Sequence, residues 1–504
     1  DKEQLSFDLP GEEGSFRGRL QNDRIAGHWI QPRSVAAGSR FATPVTLERK
    51  QPGRWRGTVT PLDDTVTLYL PIARGADGSY TTFLRNPDRN IGIFARFTRI
   101  ALEGSVVKVY SRRRPEQPER LITDGQYDAE LDRLSIDMHD SGGFFDFHRA
   151  TPADEARYNA RAKGAYAYRK PAAEDDGWAV ASVEEVGISR ADVTSFVKML
   201  TESPMDSLNA ADIHALLIAR HGKLVVEEYF HGFHRNQPHD TRSAAKVLTS
   251  ILAGAAHVPA STKVYATMGA TTADPRAQAL TLEHLLTMSS GLDCDDSNDQ
   301  SPGNENTMQE QSAQPDWYRF TLALGMIRKP GEKAVYCSVN PNLAGGVIGK
   351  ATGRYLPELF RETVAEPLQL RNYALFLQPL GEAYFGGGTR LTARDFLKLA
   401  QLMLDGGKWR GKQIVSAEWA RNSVEPQFEM DGAGYGYLWW VTELPYKDRK
   451  VKAFFAGGNG GQLSMGIPEL DLAIVFLGGN YGDGKTSLNT QRVLVPQYVL
   501  RAVQ

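Results

Sequence analysis

The spacing of the apolar residues changes near Ala150, and that change divides the chain into parts that must fold differently. Up to that point, short runs such as Thr65-Val66-Thr67-Leu68-Tyr69-Leu70 and Arg99-Ile100-Ala101-Leu102 alternate apolar with polar residues. This is the period of strands that bury one face. Asp77-Gly78, Glu103-Gly104 and Asp124-Gly125 read as turns between such runs. Residues 1–150 are therefore predicted to form an antiparallel β domain, curled toward a barrel.

Residues 151–186 are charged and alanine-rich with no clear period, and read as a linker or wrapping arm. A helix follows over 189–201, with Ser189 as its N-cap, Asp192 in its first turn and an apolar stripe of Val193, Phe196, Val197 and Leu200. The apolar run 213–219 turns at His221-Gly222 and returns through Leu224-Val225-Val226, which predicts a hairpin. Helical signals dominate from 243, with a helical subdomain over about 256–380, interrupted by a polar loop over 293–314 that is a lid or wall candidate. Strand signals return over 436–441, 452–455 and 472–477, and a closing helix is expected over 491–503. The unit 187–504 is thus α/β or α+β, its sheet assembled from segments far apart in the chain.

The bulk properties narrow the partners. Lys and Arg number 58 against 60 Asp and Glu, so no strong field draws the chain to nucleic acid, and a small or neutral ligand is the expected partner. The apolar stretch 248–258 falls well short of the ~20 residues that span a bilayer, so no membrane span is expected. Position 1 is aspartate, the appearance left by a removed signal peptide, and the expected location is periplasmic or secreted, with the cytoplasm as the alternative. Cys294 and Cys337 are either a disulfide pair or two buried thiols. Neither has the spacing of a zinc site, and no metal or other cofactor is expected.

Three segments read Ser-x-x-Lys. Ser105-Val106-Val107-Lys108 lies in a strand-like run, where an odd offset sends the two side chains to opposite faces. Ser195-Phe196-Val197-Lys198 sits mid-helix with both polar residues turned away from the apolar stripe. Ser243-Ala244-Ala245-Lys246 instead opens an apolar, small-residue run, so a buried helix beginning at Ser243 would set the lysine amine beside the hydroxyl. A serine at its free pKa is a weak nucleophile and needs such a neighbour.

Downstream stand Tyr336-Cys337-Ser338, Asn340, Leu285-Leu286-Thr287-Met288-Ser289-Ser290-Gly291-Leu292 and the strand ending Ala456-Gly457-Gly458-Asn459-Gly460-Gly461. This ordered set resembles the penicillin-recognising serine hydrolase superfamily, in its branch of class C β-lactamases, D-alanyl carboxypeptidases, esterases and 6-aminohexanoate-dimer hydrolases. The resemblance runs from about Trp178 to the C-terminus. It implies an antiparallel sheet flanked by helices with an all-helical subdomain, and an acyl-enzyme on Ser243 with Lys246 and Tyr336 handling protons. Which of the two is the base stays open. Burial is expected to lower the lysine's pKa.

Two departures bear on substrate. Ser338 stands where the family commonly has asparagine, which leaves contacts to a substrate amide to Ser338, Asn340 or elsewhere. No histidine follows His284 and the third-motif strand carries only small residues, so the cation that would engage a substrate carboxylate is missing. An ester, amide or short peptide is expected, with weak or no β-lactam turnover. Gly458, Asn459, Gly460 and Gly461 permit close backbone approach, and an N–H of Asn459 or Gly461 is expected to join that of Ser243 as an oxyanion hole. His231, His234 and His239 beside Asp240 match no helix-borne metal pair. Trp317, Tyr318, Tyr384, Phe385, Tyr435, Trp439 and Trp440 either line a cleft or pack a core. The alternative function is a non-catalytic ligand- or peptide-binding protein on the same scaffold. Shaping the cleft, binding substrate and mediating a homodimer are open roles for the β domain.

Overall fold

A computed structural model describes residues 4–504 except 22, 33–38, 61, 63–66, 115, 139–141, 162–164 and 314. Strands β1 (Gln4–Asp8), β2 (Ser15–Gln21), β3 (Arg24–Ile30), β4 (Arg40–Gln51) and β5 (Arg54–Arg56) form an antiparallel array over a small core of Phe16, Ile25, Trp29 and Val45. The array continues into distant sequence. Strand β4 pairs with β17 (Tyr373–Leu377), Phe41 opposite Phe376, and β17 leads through β18 (Arg390–Leu391) to β16 (His239–Asp240). This sheet therefore ends directly ahead of the turn that holds Ser243.

Strands β6 (Ile72–Arg74), β7 (Tyr80–Thr82), β8 (Phe97–Glu103), β9 (Val106–Ser111), β10 (Arg120–Asp128), β11 (Arg133–Met138) and β12 (Gly143–His148) form a second, antiparallel sheet, paired in sequence order. The first 150 residues thus build two sheets where a single one was expected. Asp77-Gly78 and Glu103-Gly104 stand at hairpin turns, but Asp124-Gly125 lies inside β10. A Cβ at Gly125 would meet the Ser135 carbonyl oxygen at 2.1 Å, so this glycine answers the close approach of the neighbouring strand and not a turn. Of the run 65–70, Thr65 and Val66 lie outside the described residues, and Tyr69 makes only an isolated bridge to Arg85.

The third sheet runs β13 (Ala179–Val180), β15 (Lys223–Tyr229), β14 (Ile213–Arg220), β26 (Leu472–Gly478), β25 (Gln462–Ile467), β24 (Arg449–Gly458), β23 (Trp440–Tyr446), β22 (Ala433–Tyr435) and β21 (Phe428–Met430). A separate ribbon pairs β19 (Lys408–Trp409) with β20 (Lys412–Gln413). Both faces of β14 are covered, which explains its unbroken apolar run. Ala215, Leu217 and Ala219 face the core around helix Val247–Ala255, while Leu216 and Ile218 face the core shared with Phe196 and Val499. Helix Arg190–Glu202 contributes Phe196, stacked on Tyr498 at 4.9 Å, and Ser189 caps its start by accepting from the Asp192 N–H.

Two local readings change. The strand expected over 436–441 is broken, because Leu438 adopts φ 66° and donates its N–H to the Leu286 carbonyl, and pairing resumes only at Trp440. The arm 151–186 carries helix Pro152–Tyr158, started by a capping box between Thr151 and Asp154, and strand β13. That helix buries no residue, so it has no apolar stripe to be read. Among the described residues no helix is long and apolar enough to cross a membrane.

Candidate active site

Of the three Ser-x-x-Lys segments, one forms a pair. Lys108 lies in β9 and bonds Glu103, while Ser195 and Lys198 are both exposed on their helix. Residues Arg242–Lys246 instead wind a 3₁₀ turn that runs into helix Val247–Ala255, and Lys246 Nζ donates to Ser243 Oγ at 2.9 Å. Lys246 also donates to the Gly386 carbonyl and is 1 % exposed, whereas Ser243 is half-buried. The first N–H groups of a helical turn have no partner within it, so the Ser243 N–H is free to face a ligand oxygen. Arg242, ahead of the serine, holds φ 49°, a left-handed conformation fixed by its N–H bond to Asp240 Oδ1 at 2.8 Å.

Tyr336 completes the cluster. Its ring centroid lies 5.0 Å from Lys246 Nζ, and its other neighbour is Trp440, stacked at 5.9 Å. Burial, the largest single influence on Lys246, pulls its pKa down, as expected from the sequence. Tyr336, Glu305 and Asp296 together outweigh it, and the lysine is held above its ordinary value. The expectation of a depressed lysine is therefore corrected: the surrounding oxygens keep Lys246 charged.

The polar loop after Leu292 is a wall of this site. Cys294 and Cys337 are joined in a disulfide, which ties the loop beside Tyr336. The Asp296 N–H donates to the Tyr336 carbonyl at 3.0 Å, and its carboxylate accepts from the N–H groups of Ser338 at 2.7 Å and Glu305 at 3.0 Å. Glu305 then accepts from the Tyr384 hydroxyl and from Gln309 Nε2 at 3.0 Å among the cavity-lining side chains. In the sequence neither Asp296 nor Glu305 stood out, because both are single carboxylates inside a polar loop.

The glycine-rich strand approaches from the other side. A Cβ at Gly458 would meet the Thr241 carbonyl oxygen at 2.4 Å and the Ala244 nitrogen at 3.1 Å, so the strand touches the turn that carries Ser243 backbone to backbone. Asn459 follows it into the cavity wall. Gly460 and Gly461 form the hairpin turn at φ 95° and 92°, and the Gly460 N–H is taken by Ser487 Oγ. These two glycines shape the turn and do not face Ser243. Ser338 and Asn340 are fully buried at the start of helix Val339–Thr352, beside Tyr336 in the chain.

A cavity of about 420 Å³ opens above Ser243. Part of its wall comes from the first 150 residues: Phe41 on β4, and Asp88 and Arg89 after the Tyr69–Arg85 bridge. Glycines Gly386, Gly387 and Gly388 form another side, a triplet the sequence reading passed over. Of the aromatic set, Tyr384 lines the cavity and Trp440 backs Tyr336, while Trp317, Tyr318, Phe385, Tyr435 and Trp439 are core. His239 reaches the cavity wall and shares a 2.7 Å hydrogen bond with His214, which sits 3.2 Å from Asp212. His231 joins this buried group at Asp212; His234 takes no part in it.

A nine-stranded sheet with helices on both faces, and a Ser-Lys-Tyr cluster where its glycine strand meets a helix start, define a class before any comparison is made. The family model described as Beta-lactamase matches residues 210–489, and the chain belongs to that family. A curated relative, the 6-aminohexanoate-dimer hydrolase of Paenarthrobacter ureafaciens, is 31 % identical over 108 residues, 21 % of this chain. The chain spans only about a quarter of that relative's length, 27 %. Among solved structures, a penicillin-binding protein homologue from Caulobacter crescentus aligns at TM-score 0.45 and 14 % identity, over 59 % of this chain and 94 % of its own. A β-lactamase from Mycobacterium bovis aligns at TM-score 0.43 and 19 % identity, over 60 % and 100 %.

Proposed function

We propose that the protein is a serine hydrolase in which an acyl group passes from an ester, amide or short peptide to Ser243 Oγ and then to water. The observation that carries this reading is the buried, charged Lys246 donating to Ser243 Oγ at 2.9 Å. A protonated lysine orients the hydroxyl and offsets negative charge but does not accept its proton. That task falls to Tyr336 acting as a phenolate beside the lysine ammonium, which takes the Ser243 proton and returns it to the leaving group as the carbonyl collapses. The N–H groups of Ser243 and Asn459 serve as the oxyanion donors, since the Gly460 N–H is already engaged.

The substrate is uncharged where third-motif lysines usually act, because Ala456, Gly457 and Gly458 offer no cation. A linear amide is the preferred class, in keeping with the similarity to a 6-aminohexanoate-dimer hydrolase, and β-lactam turnover is expected to be weak. The disulfide supports an oxidising compartment such as the periplasm or the exterior. Ser243→Ala should abolish turnover of a panel of aryl esters and linear amides, together with labelling by a serine-directed phosphonate. Labelling that survives the substitution would overturn the assignment. Intact-mass detection of a transient acyl adduct excludes the binding-protein alternative, and turnover without an adduct at Ser243 argues for another nucleophile.

A further inference from the structure

The second sheet carries a cavity that the proposed chemistry does not use. Its seven strands pair in sequence order from β6 to β12, and side chains from the two end regions, Ile72 and Tyr80 at one end and Phe145 and Phe147 at the other, line the same space of about 1000 Å³. The sheet is therefore curled on itself. Cross-strand register places the lining on one face: Leu102 opposes Val107, Val107 opposes Gly125, Gly125 opposes Ile136, and Ile136 opposes Phe145. A second row runs Tyr127, Leu134, Phe147.

One end of this face is fully buried, and the other packs against it while staying partly exposed. Phe97, Val109, Ile136 and Met138 form a core with Leu84, whereas Tyr127, Leu134 and Phe147 stay partly exposed around the cavity. At its rim Ile72 is 49 % and Leu102 is 50 % exposed. A small barrel that had only to be stable would fill its interior with side chains; one that leaves room holds a ligand. The volume is that of a small-molecule site, at the upper end of the range of about 300–1,000 Å³.

The chemistry of the lining selects the occupant. The apolar side chains come from the strands and from Leu68, Tyr69 and Leu70 ahead of β6, and at the mouth the carboxylates Asp132, Asp146, Asp154 and Glu155 outnumber Arg149. Arg149 is held by Asp132, which also accepts from the Tyr127 hydroxyl, Asp154 closes the capping box with Thr151, and Asp146 accepts from Ser135. An anionic head group would meet this excess of carboxylates and be repelled. We infer that the curled sheet binds an uncharged, elongated apolar molecule, of the class of a long-chain alcohol or monoacylglycerol, with its hydrocarbon chain between the Leu102 and Leu134 rows. This site is separate from the cavity above Ser243, and the inference does not rest on the hydrolase reading.

Fluorescence titration of the whole protein with N-phenyl-1-naphthylamine, a neutral apolar probe, tests it. Saturable one-to-one binding is expected, displaced by a monoacylglycerol and unchanged when Ser243 has first been replaced by alanine. Leu134→Trp, which fills the cavity, and Leu102→Glu, which charges its exposed rim without touching the fully buried end, should each weaken binding at least tenfold with thermal midpoints near that of the parent. Phe144→Ser, at a position 72 % exposed and outside the lining, should leave binding unchanged. Absence of saturable binding, binding indifferent to both cavity variants, loss of binding in Ser243→Ala, or displacement by an apolar peptide but not by the monoacylglycerol would each overturn the proposal.

Discussion

Arg85 donates to Asp212 Oδ1 at 2.8 Å, and both side chains are only 7 % exposed. This ion pair keys the loop after the first 80 residues to the start of β14, with His214 and His231 arranged about the same carboxylate oxygen. Burial alone would raise the Asp212 carboxyl, but His214, Arg85 and His231 hold it below the ordinary carboxylate range. Removing one partner leaves an uncompensated buried charge, so Arg85→Met should cost about 3–5 kcal/mol. Arg85→Met/Asp212→Leu should lose less than the sum of the two single changes, as read from urea unfolding midpoints.

Lys246→Ala and Tyr336→Phe should each lower kcat by about 10²–10⁴-fold, the range lost when a proton-transfer group is removed. Tyr336→Phe keeps the ring that stacks on Trp440, so its thermal midpoint should stay near that of the parent while activity falls. Equal loss in midpoint and activity would instead mark Tyr336 as a packing residue.

The Cys294–Cys337 bond closes a loop of 43 residues, worth about 4 kcal/mol on the chain-entropy estimate. Cys294→Ser/Cys337→Ser should therefore unfold at a lower urea concentration. Because Cys337 adjoins Tyr336 and Asp296 bonds both Tyr336 and Ser338, kcat should fall more than KM rises. Reduction of the parent protein by dithiothreitol should reproduce both effects.

The Ser243–Lys246 pair was legible because its signal is local. Residues three apart on a helical turn meet whatever the rest of the chain does, and secondary structure alone sets Ser243 apart from Ser105 and Ser195. Tyr336 and the glycine strand came from the ordered motifs, but much of the cavity wall was not legible because it is made by tertiary approach. Asp296 and Glu305 come from one polar segment, Gly386 from another and Phe41 from β4, and no spacing relates them to Ser243. The same reason hid the split of the first 150 residues into two sheets. Alternation reveals that β4 is a strand, but not that its partner is β17, more than three hundred residues away. Lys246 illustrates a third limit, since its burial and Tyr336 were foreseen and the carboxylates of Glu305 and Asp296 were not.

Acid should loosen the protein before its carboxylates titrate. Burial, with help from Arg361, lowers His28 to about 3; burial lowers His231 to about 4, against the pull of Asp212; and burial takes His239 well below its ordinary value. Each folded pKa lies below the unfolded value of 6.5, so the stability these neutral histidines contribute is present above pH 6.5. Below it the unfolded chain takes up protons that the native state refuses, and stability falls by about 1.4 kcal/mol per pH unit for each histidine. Urea midpoints should therefore drop between pH 6.5 and 5, and His28→Gln should flatten that slope. A midpoint that is level or rising over this interval would contradict the burial argument.

Gly458→Ala tests the approach of the two halves of the site with one methyl group. The added Cβ would stand 2.4 Å from the Thr241 carbonyl oxygen and 3.1 Å from the Ala244 nitrogen, both backbone atoms of the turn that carries Ser243. Neither can rotate away, so either β24 or the nucleophile turn must shift, and with it the spacing between the Ser243 and Asn459 N–H groups. Loss of one oxyanion donor costs about 10²–10³ in kcat, and a partial misplacement should cost at least tenfold. The neighbouring Gly457 meets only side-chain atoms of Phe455 and Trp440, the nearest at 3.2 Å, so Gly457→Ala should retain far more activity. If the two variants lose activity equally, the damage is general to the strand, and the close contact at Gly458 does not set the geometry of the site.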